Sequence, residues 1–288
     1  MQDGNIFKLK NLLNINKRRG GEELLLVIRK HLDVVILKPR IEIAQNMPGV
    51  NPEHVEAILG AFSEPAEQYL MQCAFDLASA KTSHVSRANG ETFLAHMVES
   101  TYISHKEIKE PYQDFTGNKL TVFDYASLVD HDVHEVSRFT LDDVFGFFCH
   151  PSFIQGSGFE IWVRIYGIST EKHNYDDYKT RYEDSQRKLR FIATYQPTVE
   201  PDKIADRLHN MRTLEGLPEE KQLRIAFDTY MHHVPMARRI GLHEIADELQ
   251  ERAIHYHPTL RDINPWSYDG MASMPSELAT HLMYPSMP

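Results

Sequence analysis

Cysteine is scarce: Cys73 and Cys149 are the only two in 288 residues, too few and too far apart for a disulfide framework or a thiolate zinc site. A reducing, cytoplasmic setting is expected from that. Long apolar runs are missing as well, the longest being 24–28 and 34–37, far below the roughly 20 residues a membrane helix needs. The N-terminus carries no basic segment followed by an apolar stretch, so neither a secretory signal nor membrane attachment is expected. Positive charge is in deficit, with 31 Lys and Arg against 41 Asp and Glu and a formal charge of −10. That balance argues against nucleic acid as the main partner, and an anionic substrate would need a basic pocket inside an acidic body. No Gly-rich phosphate loop, internal repeat, heptad run or paired-cysteine zinc motif is present.

What is present is an ordinary globular composition, 42% apolar and 25% charged, with an unusually large set of 16 histidines. The chain divides into an N-terminal extension (1–50) with a basic turn at 17–21, a main domain (51–260), and a C-terminal tail (261–288) with prolines and scattered Met and Tyr. The main domain reads as helical. Asn51-Pro52-Glu53 is an N-cap followed by proline at the first helical position, and Ser63-Glu-Pro-Ala opens a second helix to about residue 80. Further helices are expected from Phe93, over 120–135, from Thr140, over 218–233 and over 242–257. Residues 113–118 read as a loop, 159–168 as strand or helix, and Pro201 as lying just ahead of a helix. The charged block 169–190, including Lys179, Arg181, Arg187, Lys188 and Arg190, reads as a solvated helix face or, less readily, a phosphate contact.

The run Lys203-Ile-Ala-Asp-Arg-Leu-His-Asn-Met-Arg-Thr-Leu214 is the organising stretch. Asp206, Asn210 and Thr213 fall at i, i+4 and i+7 on one helix face, while Ile204, Leu208 and Met211 line the other. An inward carboxylate among apolar residues is costly unless a hydrogen bond, metal or ligand satisfies it. Backbone hydrogen bonds satisfy most such groups, so partners elsewhere decide the matter. They are found at His96 and the adjacent His131-Asp132, which with Asp206 form a mixed nitrogen and oxygen donor set suited to Mn²⁺, Fe²⁺ or Zn²⁺. An open position on such an ion lowers the pKa of water, which is hydrolytic chemistry. Glu135, one turn beyond His131 and Asp132, is placed to accept the water's proton.

These residues carry a resemblance. Arg87-Ala-Asn-Gly-Glu-Thr-Phe-Leu-Ala-His96 is similar to R-x-S-G-E-P-Y-x-x-H-P, and Leu128-Val-Asp-His131-Asp132-Val-His-Glu135 to L-L-H-D-x-x-E-D with one residue intervening. The run 204–214 resembles L-A-D-R-L-H-N-M-R-T-L along its whole length, and 224–241 follows as a fourth block. Over about 83–258 the chain resembles the hydrolase-type HD domain of the RelA/SpoT family, including its small single-domain alarmone hydrolases. The resemblance implies an all-α HD helical bundle around a single metal site, with one Mn²⁺ held by His96, His131, Asp132 and Asp206. It implies a metal-dependent hydrolase that removes pyrophosphate from the 3′ position of the guanine nucleotides ppGpp and pppGpp, the alarmones of the stringent response. In the family the residue matching Arg87 packs on the guanine base, and those matching Asn210 and Thr213 face the nucleotide. The thirty or so residues after Pro258 leave no room for the family's synthetase domain, so alarmone synthesis is not expected.

One departure bears on chemistry. The family's Glu-Asp pair reads Glu135-Val136 here, so the site would work with Glu135 alone, with Asp142 or Asp143 folding back, or with His134 as substitute. Met97, Asn89 and Ala88 replace a proline, a serine and a basic residue of the family pattern, touching substrate fit more than metal binding. Two other readings follow: an HD-type phosphohydrolase acting on another nucleotide such as a nucleoside monophosphate, or an alarmone-binding regulatory protein with impaired catalysis.

Overall fold

A computed structural model describes residues 49–169 and 178–265. The basic turn at 17–21 with its flanking segments, residues 170–177 of the charged block and the tail beyond 265 lie outside the described residues. Within them the fold is all-α, with an isolated bridge between Ser86 and Thr92 as the one extended pairing. The helices are α1 (Pro52–Leu59), α2 (Pro65–Thr82), α3 (Phe93–Ile103), α4 (Lys109–Thr116), α5 (Val122–Asp130), α6 (Val133–Val136) and α7 (Leu141–Phe148). They continue as α8 (Ser157–Ile168), α9 (Tyr178–Ala193), α10 (Val199–Arg212), α11 (Glu219–Asp228), α12 (Val234–Arg239) and α13 (His243–Tyr256). None of these is long and apolar enough to cross a membrane.

Local chemistry starts several of them. Asn51 accepts the Glu53 amide at 3.0 Å ahead of Pro52, and Thr92 accepts the Ala95 amide at 3.1 Å to open α3. Thr121 with Asp124 and Thr140 with Asp143 form capping boxes on α5 and α7, satisfying amides that have no partner within the helix. The 159–168 segment resolves as helix α8, and 113–116, expected as loop, forms the last turn of α4 before Gly117. Pro201 lies inside the first turn of α10 rather than ahead of it, where a missing amide proton costs nothing.

Helix α10 is the central strut, packed against α3, α5, α8, α9, α12 and α13. Ile204, Leu208 and Met211 are fully buried along it. At its end Arg212 donates to Glu107 from Nη1 and Nη2, both at 2.7 Å, and to Glu248 at 2.8 and 2.7 Å, and Arg252 shares Glu248 at 2.7 Å. Glu107 stands on a π-turn at Ser104–Ile108 that joins α3 to α4, so this one guanidinium ties three parts of the bundle together. Exposed ion pairs contribute little singly, but this is a bidentate network at partly covered positions. Arg212→Met is expected to lower stability by about 1–2 kcal/mol, read as a drop of a few degrees in melting temperature; an unchanged melting curve would show the network to be decorative.

The 120–135 stretch is the informative departure from a single helix. It stops at Asp130, turns at His131 and Asp132, and restarts as the short α6. Asp132 sits at φ −94°, ψ −6°, the sparsely used bridge region. On a continuous helix neighbouring side chains diverge by about 100°; the turn lets two successive residues aim at one point.

Candidate functional site

Four side chains from three elements meet on the floor of a cavity of about 330 Å³. His96 comes from the first turn of α3, His131 and Asp132 from the turn after α5, and Asp206 from the middle of α10. His96 Nε2 lies 3.3 Å from Asp206 Oδ1 and 3.6 Å from Asp132 Oδ2. His131 Nε2 lies 3.7 Å and 3.5 Å from the same two oxygens. Donors held at about 2.0–2.2 Å from one ion sit roughly 3–3.5 Å apart, so the spacing suits a single cation. His131 Nδ1 donates to the Leu128 carbonyl at 2.7 Å, which leaves Nε2 for the cluster.

The electrostatics are those of an enclosed anion pair. Burial alone would raise Asp206, but Lys203 and the two imidazoles hold it well below the usual carboxylate range. Burial likewise works against a charged His131, yet Asp132 and Asp206 outweigh it and push the imidazole up to about 9. His96, fully buried, is lowered to about 3 by desolvation with Arg87 and His131 adding to it. Asp132 is raised, first by burial and then by its neighbours Glu135 and Asp206. Without a cation, the cluster therefore carries its proton on His131 and keeps His96 neutral.

The cavity walls gather the other residues the sequence pointed to. Glu135, Arg87, Asn210 and Thr213 all line it. Asn210 donates to Asp206 Oδ1 at 2.7 Å and accepts from Arg87 Nη2, while Thr213 caps the end of α10, donating to the His209 carbonyl at 3.0 Å. Arg87 is presented by a tight loop in which its amide donates to the Glu91 carbonyl at 2.7 Å. Gly90 makes that turn at φ +90°. The loop rests on Gly216, where a Cβ would come within 2.7 Å of Asn89 Cβ.

Asp142, Asp143 and His134 are not among the lining residues. Asp143 is spent on the α7 capping box at 2.7 and 2.8 Å from Thr140, and Asp142 is exposed. Among the described residues, the lining carboxylates besides Asp132 and Asp206 are Glu135 and Asp228, and Asp228 is held by Arg207 at 2.8 Å.

The structure also brings in residues the sequence reading passed over. Lys203 lines the cavity and reaches Asp206 Oδ2 at 3.0 Å and the Ile168 carbonyl at 2.8 Å. Arg207 and Lys221 add positive charge along the wall, and Phe93, Leu214, Leu217 and Ile225 supply apolar surface. His209 and Glu91 stand behind His96. The signal for Lys203 was there: it stands three positions before Asp206 in the organising run.

No family model matches the chain. It is 28% identical over 221 residues to the GTP pyrophosphokinase rsh of Brucella ovis, a match covering 75% of the chain and 26% of that protein. It is 30% identical over 167 residues to the bifunctional (p)ppGpp synthase/hydrolase SpoT of Escherichia coli K12, covering 58% of the chain and 21% of that protein. Over these stretches the chain is similar to proteins of the RelA/SpoT family. The guanosine-3′,5′-bis(diphosphate) 3′-pyrophosphohydrolase of Escherichia coli O157:H7 matches over the same shares, at 30% identity. The chain spans about a quarter of the length of the RelA/SpoT-family relatives it matches.

Proposed function

We propose that this protein is a metal-dependent phosphohydrolase of HD type that acts on guanosine 3′,5′-bis(diphosphate) and its 5′-triphosphate counterpart, releasing pyrophosphate from the 3′ position. The observation that carries the reading is the convergence of His96, His131, Asp132 and Asp206 within 3.3–3.7 Å on the floor of a cavity with a basic wall. Relatives named as hydrolases of this nucleotide support it. The donor set fits a hard-to-intermediate divalent ion, with Mn²⁺ the assignment the family resemblance favours.

A divalent ion held by these four residues supplies a Lewis acid that acidifies water and neutralises developing phosphate charge. Glu135 takes the proton of the attacking water. The water oxygen bonds to the phosphorus next to the ribose, the bond from that phosphorus to the 3′ oxygen breaks, and the departing oxygen takes up a proton. The products are pyrophosphate and GDP or GTP. Lys203, Arg207 and Lys221 offset the charge of the polyphosphate, which the acidic body of the protein would otherwise repel. Asn210 and Thr213 stand on the same helix face as Asp206 and fix the nucleotide relative to the reacting centre. Arg87 offers a planar guanidinium to the base, backed by the Phe93 ring at 6.0 Å.

The assay is direct. Purified protein with Mn²⁺ is expected to release pyrophosphate from ppGpp, resolved by anion-exchange chromatography, and to leave GTP and nucleoside monophosphates intact. Orthophosphate from monophosphates would replace this reading with a different nucleotide substrate, and tight ppGpp binding without turnover would replace it with a regulatory one. Glu135 alone serves as proton acceptor here, so basal turnover is expected to be slow. Val136→Asp, which restores the second acid of the family pair, is expected to raise kcat by about tenfold or more, within the range one positioned acid–base group supplies. An unchanged kcat would show that Glu135 suffices by itself.

A further inference from the structure

Behind His96 a line of side chains leads away from the cavity floor. His96 Nδ1 lies 2.8 Å from His209 Nδ1, and His209 Nε2 lies 3.3 Å from Glu91 Oε1. The other oxygen of Glu91 accepts from Arg87 Nη1 at 2.9 Å. His209 is buried, and Glu91 is largely covered.

The direction of each hydrogen bond follows by elimination. Glu91 is clasped between Arg87 Nη1 at 2.9 Å and His209 Nε2 at 3.3 Å, and a carboxylate so placed accepts from both nitrogens. The proton facing Glu91 therefore sits on His209 Nε2, and the tautomer this contact selects has a bare Nδ1. The proton shared between the two rings then belongs to His96 Nδ1. His96 Nε2 is bare, and it points at Asp206 and Asp132. A lone pair aimed at two carboxylates is repulsive unless a cation lies between them, so the relay fixes the one tautomer that suits a metal and no other partner in view.

Glu91, His96 and His209 also fall close enough together to hold an ion themselves. The 2.8 Å between the two imidazole nitrogens argues for a shared proton instead, since two imidazoles on one tetrahedral ion stand about 3.3 Å apart.

We propose that His209 and Glu91 are positioning residues that lock His96 as its Nδ1–H tautomer and thereby set the cation affinity of the cluster. The inference rests on the metal site proposed above. Outer partners of this kind orient the ring and raise its basicity as a ligand, and their loss costs about 10–100-fold in metal affinity. Arg87 reaches the same carboxylate, so the relay also joins the nucleotide wall to the metal floor.

Two measurements test it on the full chain. Nitrogen-15 NMR of the imidazoles in metal-free protein is expected to show His96 protonated on Nδ1 and His209 on Nε2; a proton on His96 Nε2 overturns the proposal whatever the metal does. Mn²⁺ affinity by chelator competition is expected to fall about 10–100-fold in His209→Phe and to stay near wild type in His209→Gln, whose amide oxygen accepts and whose amide nitrogen donates. Equal affinity in wild type and His209→Phe overturns the relay, and so does an equal loss in both variants, which marks simple packing. Should His209→Phe not fold, Glu91→Leu against Glu91→Gln makes the same comparison at the more accessible end. A wild-type chain that binds no Mn²⁺ overturns the metal assignment together with the relay, whereas binding unaffected by the variants overturns the relay alone.

Discussion

Replacing Glu135 with glutamine is expected to cut pyrophosphate release by about 10²–10⁴-fold, the range for one positioned acid–base group, while Mn²⁺ affinity changes only a few-fold. The separation of the two effects follows from placement. Glu135 lines the cavity one turn beyond Asp132 and bears on it through charge, helping to raise its carboxyl. It stands on the cavity wall, where a proton from water can be taken. Asp142, Asp143 and His134 stand outside the cavity lining and Asp228 is held by Arg207, so among the described residues none of these takes its place. Chelator competition on the variant measures the metal, and steady-state turnover of ppGpp measures the chemistry. Unchanged kcat would remove Glu135 from the mechanism.

Asp206→Asn is expected to weaken Mn²⁺ binding by more than about 100-fold, because outer-shell partners alone account for about 10–100-fold and Asp206 stands in the centre of the donor set. Its Oδ1 faces both imidazoles and the Asn210 amide, and its Oδ2 holds Lys203. Despite its burial, Lys203 and the two imidazoles hold it well below the usual carboxylate range. Without that charge, Lys203 stays beside the cavity floor as an unbalanced cation and repels an incoming one. Asparagine keeps the shape and, with its amide oxygen turned to Lys203 Nζ, that one hydrogen bond, so loss of metal would be electrostatic rather than a collapse of α10. Full metal occupancy in the variant would sink the ligand assignment.

The site was most legible where periodicity and chemistry coincide. In α10 the 3.6-residue period alone separates Asp206, Asn210 and Thr213 from Ile204, Leu208 and Met211, and the structure keeps that division. The turn at His131 and Asp132 was not legible, because an apolar run such as 120–130 continues a helical pattern across a break that only tertiary packing imposes. Residues 113–116 misled in the opposite sense: polar composition suggested a loop, but a helix can be polar when one buried residue, Tyr112, anchors it. Glu91 and His209 escaped notice for a different reason. Their role depends on a contact between a loop before α3 and the far side of α10, and no local spacing encodes such a pairing.

The hydrogen-bonded pair His96 and His209 is separated by 113 positions along the chain, and this has a consequence for how the protein comes into being. During synthesis α3 and the turn at 131–132 emerge long before α10, so the growing chain holds three of the four converging donors without the anion that completes them. A truncated product ending ahead of α10 cannot assemble the centre at all. Any ion held there is a latch on the finished bundle and not a nucleus for it, adding about 2.7 kcal/mol at a hundredfold excess over its Kd. Unfolding protection by Mn²⁺ would thus report on chain completion as much as on catalysis.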